Sequence, residues 1–172
     1  MTGITGSRAF GILALRLLTG FVFLYAGIEK LIGAEKFSAA GFLQFATGGT
    51  AAGAAEGAIV NPTHGFWVDL AANGTLMPIV DFMVPWGQLL IGVALILGLA
   101  TRFAAVMGFL MMAFITIAAW DFLHGPVNYT GFLAIVTLFV GVLRAGEVFG
   151  IDAIVDEQPI VKRTPVLRYV LG

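Results

Sequence analysis

The chain has 172 residues, of which 59% are hydrophobic and only 11% charged, and its mean hydropathy is +0.99. An ordinary soluble domain is about 45–50% apolar and about 25% charged, so the composition is that of a protein built for lipid. A net charge of -1 with no polybasic face excludes a nucleic-acid partner, and the absence of cysteine excludes disulfides, thiolate nucleophiles, iron–sulfur ligation and Cys-linked heme.

Crossing about 30 Å of hydrocarbon takes roughly 20 apolar residues, and four segments meet that length, at about 8–32, 79–100, 103–122 and 127–148. The sequence therefore predicts an all-α, integral membrane four-helix bundle, forming a single membrane domain over 1–172. The first segment begins close to Met1, but its apolar run is too long for a signal peptide and Arg16 interrupts it, so it reads as a retained span. Thr101-Arg102 separates the second and third segments, and the stretch around His124-Gly-Pro126 separates the third and fourth, so each pair forms an antiparallel hairpin.

Between the first two spans lies a long loop, 33–78. Ala34 to Ala46 mixes Phe37, Phe42, Leu43 and Phe45 with small residues, which suits a short helix at the membrane surface. A Gly/Ala/Thr-rich stretch follows at 47–58, then a second short helix capped near Thr63 and stopped at Gly74, and together they read as a lid. The tail, 149–172, has two prolines and mixed charge and reads as an extension that packs on the membrane or on a partner. Seven basic residues (Arg8, Arg16, Arg102, Arg144, Lys162, Arg163, Arg168) fall on one side and only Lys30 and Lys36 on the other. The expected placement is the cytoplasmic membrane with both termini cytoplasmic and the long loop extracytoplasmic, Arg16 reaching the interface by snorkelling.

Ionisable groups at membrane depth cost free energy and face a protein interior. Here they cluster at the outer ends of the spans: Glu29 and Lys30, Asp81 and Gln88, Asp121, His124 in the adjoining turn, and Asn128. Positions 81, 85, 88, 92 and 95 share one helical face, and Arg16, Gly20, Phe23, Gly27 and Lys30 share another. If both stripes point inward, Lys30, Asp81, Gln88, Asp121, His124 and Asn128 converge on a cavity beneath the loop, flanked by Trp86, Trp120 and Tyr129. The same residues fit a second reading, with the charges as solvated helix ends and the aromatic side chains as an interfacial belt. Two histidines in separate loops do not form a heme-ligating arrangement, and no metal site is expected.

Residues 16–31, RLLTGFVFLYAGIEKL, resemble the first-helix signature of the DoxX/DoxD family, and residues 85–102, PWGQLLIGVALILGLATR, resemble its second-helix and hairpin signature. Gly146-Glu-Val-Phe-Gly-Ile-Asp152 is similar to the closing motif of that family. The long loop and His124-Gly-Pro-Val-Asn128 resemble the DoxD branch, described as the large subunit of a membrane thiosulfate:quinone oxidoreductase. The resemblance implies a membrane subunit in which thiosulfate is oxidised to tetrathionate and a quinone, as co-substrate, is reduced. It places His124, Asp121 and Asp81 as the catalytic, proton-handling groups, with Glu29 as a further relay. Lys30, Gln88, Trp86 and Asn128 then contact substrate or quinone, and Lys36 adds positive charge for a dianion. Gln88 stands where many members of the family carry an acidic residue, so no proton role is assigned to it. With no cysteine to carry electrons, a second class stays open: a non-catalytic accessory subunit of a respiratory complex, a terminal oxidase or supercomplex, packed against lipid and other membrane subunits.

Overall fold

The computed structural model describes residues 6–47, 61–120, 128–158, 161 and 170–171. All the regular elements among them are helical: α1 (Gly6–Ile32), α2 (Ala39–Thr47), α3 (His64–Ala72), α4 (Leu76–Leu97), α5 (Thr101–Ala118), α6 (Tyr129–Val142), a 3₁₀ turn (Ala145–Glu147) and α7 (Ile151–Val155). Three of them, α1, α4 and α5, are long and apolar enough to cross a membrane, which makes this a multi-pass membrane protein. The fourth apolar helix, α6, has 14 residues, a rise of about 21 Å at 1.5 Å per residue. It is shorter than the hydropathic segment because Leu143 leaves the helix and Arg144 turns left-handed, with φ 50°.

Helix ends follow local chemistry. The Asn73 side chain accepts from the amides of Thr75 and Leu76 (3.0 and 2.9 Å) and starts α4, while Gly98 ends it at φ 65°. The Asn128 side-chain oxygen Oδ1 accepts from the amide of Gly131 at 2.8 Å and starts α6. Phe23, Ile91, Leu95, Ala104, Met112, Leu133, Ala134 and Val140 form one core shared by α1, α4, α5 and α6.

The two predicted stripes do turn inward: Arg16, Gly20, Phe23 and Gly27 of α1 are buried, as are Pro85, Gln88, Gly92 and Leu95 of α4. Backbone approaches backbone there. A Cβ at Gly27 would lie 2.6 Å from the Leu89 nitrogen, and one at Gly92 would overlap the Leu24 backbone and sit 2.8 Å from the Gly20 oxygen. These close approaches make α1 with α4 the most extensive helix pair, followed by α5 with α6.

At one end of the molecule the chain ties itself together. Arg16 is 1% exposed. Its Nη1 donates to the carbonyls of Ala145 (2.6 Å) and Val148 (2.9 Å), and its Nη2 to that of Phe149 (3.5 Å). Asp152 is fully buried and accepts from the amides of Ala100 (2.7 Å) and Thr101 (2.9 Å), capping α5 across 52 residues of chain. Its own amide donates to the Gly98 oxygen at 2.8 Å. Gly146 packs directly on Asp152 and Thr101, leaving no room for a Cβ. Arg16 therefore satisfies interior carbonyls instead of snorkelling, and the start of the tail folds back under the helices instead of extending from them.

Candidate functional site

The opposite end carries α2 and α3, packed chiefly on each other and on the ends of α4 and α5. Three polar anchors hold them. The Asn61 side chain, buried to 1%, donates to the last carbonyls of α5, Ile117 and Ala118, each at 2.8 Å, and accepts from the amide and hydroxyl of Thr63 at 2.7 Å. Thr63 in turn accepts from the Trp67 indole at 2.7 Å. Asp81 of α4 accepts from the amide of Ala39, the first residue of α2, at 2.6 Å. Apolar contacts complete the roof: Trp67 and Leu43 pack with Ala39, Met77 and Ala118, and the Trp67 ring meets Phe114 edge-on at 4.9 Å.

Beneath this roof lies a cavity of about 490 Å³, bounded by all four long helices. That volume falls within the range of about 300–1,000 Å³ seen for small-molecule sites. Its walls are aromatic and aliphatic, with Phe23, Phe37, Trp67, Met112 and Leu133 among them; Lys30, Gln88 and Thr130 are the polar exceptions, apart from the tyrosines Tyr25 and Tyr129. Gln88 is 4% exposed, and its Oε1 has no hydrogen-bond partner among the described residues. An orphaned buried acceptor costs about 1–3 kcal/mol, so a ligand able to satisfy it gains an anchor. The Lys30 ammonium donates to the Ala26 carbonyl at 3.2 Å and sits 5.7 Å from the centre of the Phe37 ring. On the far wall, Thr116 links to Thr130 (3.0 Å) and Thr130 to Asn128 (2.7 Å), whose Nδ2 is buried without a partner among the described residues.

Of the residues expected at the site, Lys30 and Gln88 line the cavity, and Asn128 adjoins it through Thr130. Asp81 lies at the roof, bound to the start of α2. Trp86 is not in the wall. It is 42% exposed and packs beside Phe82, centroids 6.0 Å apart, on the outward face of α4. It stands two positions before Gln88, about 200° around the helix, which places the two side chains on opposite sides. Asp121 and His124 lie outside the described residues.

Sequence reasoning missed Trp67, Met112, Asn61 and Thr130. Trp67 and Asn61 sit in a long loop whose path no periodicity reveals, and Met112 belongs to a uniformly apolar helix. Asn61 carried a signal: Asn-Pro-Thr before a short helix is a chain-reversing sequence with a side chain able to bond the backbone.

The profile of the DoxX family matches residues 11–121, a stretch that runs from within α1 through α5 and includes both polar stripes. No curated protein and no solved structure matches the chain.

Proposed function

The chain belongs to the DoxX family, and on that footing we propose that it is the quinone-binding membrane subunit of a quinone-linked oxidoreductase. It sits in the cell membrane with four spans, both termini cytoplasmic and the roof helices outside. The observation that carries this reading is the Gln88 amide oxygen, unpartnered among the described residues, in the wall of a largely apolar chamber. A flat apolar ring with a carbonyl or hydroxyl fits it, and a primary amide serves both redox states: its NH₂ donates to a carbonyl, and its oxygen accepts from a hydroxyl. A bound quinone would supply the electron sink, taking up two electrons and two protons. Lys30 and the Thr130–Asn128 pair would orient the polar head, and the roof would exclude bulk water.

A dianion such as thiosulfate does not suit this chamber, where Lys30 is the single cation among the described wall residues. Joining two thiosulfates as tetrathionate releases two electrons, and we place that half-reaction at the outer surface, near Lys36 and His124. Asp81, Asp121 and His124 are proposed to pass protons inward. An accessory, non-catalytic role draws support from one observation: Asp81 and Asn61 are already engaged in holding the roof. Both readings include neighbouring membrane subunits.

Binding of decylubiquinone to purified protein in nanodiscs tests the quinone site. Saturable binding is expected, weakened about tenfold in Gln88→Leu, the equivalent of one hydrogen bond of about 1.4 kcal/mol. The same substitution removes an unpaired buried acceptor, so its melting temperature should equal or exceed that of the wild type. Binding unchanged in Gln88→Leu would sink the assignment. Thiosulfate-dependent reduction of the bound quinone, lost in His124→Ala, separates the catalytic from the accessory reading.

A further inference from the structure

The cavity has an open side. Phe21 and Tyr25 of α1 and Tyr129 of α6 belong to its wall, yet they are 60%, 60% and 65% exposed. A side chain that is both cavity wall and outer surface marks the rim of an opening. The seam between α1 and α6 is also the loosest of those joining neighbouring long helices: the close approaches at Gly27 and Gly92 hold α1 to α4, and α5 packs along α6, but α1 and α6 meet at few places. Phe42 and Phe114 are exposed wall residues too, but on that side the Trp67 ring of α3 packs edge-on against Phe114, so it is the sparse contact between α1 and α6 that singles out their seam. The roof itself is tied down by Asn61 and Asp81.

We infer that the α1–α6 seam is a lateral portal, through which a ligand dissolved in the bilayer enters head first. Its ring reaches Gln88, and its alkyl tail stays between Phe21, Tyr25 and Tyr129 in contact with lipid. This rests on the quinone reading and adds to it the route and the class of ligand: one that partitions into membranes and carries a chain. The rim residues Phe21, Tyr25 and Tyr129 are aromatic rings without formal charge, which an apolar ligand can pass without displacing a hydrated ion from them. The tyrosine hydroxyls supply the polar contact typical of rings placed between apolar and wet surroundings.

The chain contains no cysteine, so a Tyr25→Cys, Tyr129→Cys pair can be bridged selectively with bis-maleimides of graded length in nanodiscs. Bridging should slow decylubiquinone exchange at least about tenfold relative to each singly modified control, with Kd unchanged, because entry and exit use the same mouth. Exchange as fast in the bridged protein as in the controls overturns the portal and leaves the binding site standing. Failure of every reagent in the series to bridge the pair also overturns it, since the rim residues would not face each other. Absence of saturable binding to the unmodified protein overturns portal and quinone site together.

Discussion

Replacing Asp152 with alanine removes the acceptor for two amides at the start of α5, those of Ala100 and Thr101. Asp152 and Thr101 are both fully buried, so water cannot replace the lost partner without opening the structure. Leaving a buried donor unpaired costs about 1–3 kcal/mol, and loss of a helix cap alone costs about 1 kcal/mol, which puts the combined loss at roughly 2–4 kcal/mol. For a chain of this size, 1 kcal/mol corresponds to about 2–4 °C, so Asp152→Ala should melt roughly 4–16 °C below the wild type. Asp152→Asn keeps one acceptor oxygen and should fall between the two. The assay is tryptophan fluorescence on heating in detergent at one fixed scan rate, because unfolding of such a protein is expected to be irreversible. Glu35→Ala, at an exposed position, serves as control. An Asp152→Ala protein melting together with the Glu35→Ala control would refute the capping role, as would Asn and Ala variants of equal stability.

Gly92→Ala must push α1 from α4, because the new methyl overlaps the Leu24 backbone; a loss of about 1–3 kcal/mol is expected from overpacking. Gly11→Ala, on the same α1 but with nothing within 4 Å of its Cβ, should gain up to about 1 kcal/mol from helix propensity. Thermal melts of the two variants shifting in the same direction would contradict the packing described for α1 and α4. Asn61→Ala releases the bonds between the roof and the end of α5, and limited proteolysis should then cut near α3 at a protease concentration that leaves the wild type intact. Arg16→Lys keeps the charge but not the pair of nitrogens that sends Nη1 to the Ala145 and Val148 carbonyls and Nη2 to that of Phe149. A drop of about 1.5–3 kcal/mol, the value of a charge-assisted hydrogen bond, should appear in the same melts.

Much of the site was legible one helix at a time. The 3.6-residue period put Gln88 on the face that carries Pro85 and Gly92, and the Gln88 amide oxygen, unpartnered among the described residues, is where burial made that inference count. Trp86 shows the limit of reading depth without direction. It lies at the level of the cavity, but two residues from Gln88 it faces outward. Asp81 shares the stripe, yet its carboxylate is met by the amide of Ala39, 42 residues earlier, and no local pattern encodes that meeting.

Composition and the lengths of the apolar runs determined the helical, multi-pass membrane class, since lipid admits few ways of satisfying a backbone. The residues at 16–31 and 85–102 carried the DoxX resemblance without any coordinates. Tertiary structure alone decided which charge meets which partner. Arg16 answers carbonyls 129 to 133 residues away, and Asp152 caps a helix across 51 to 52 residues. Period and hydropathy specify which face of a helix turns inward, because those are properties of one segment and its solvent. The neighbour that face finds, the roof that closes over it and the side left open depend on how loops bring distant segments together, and that is decided only when all the segments pack.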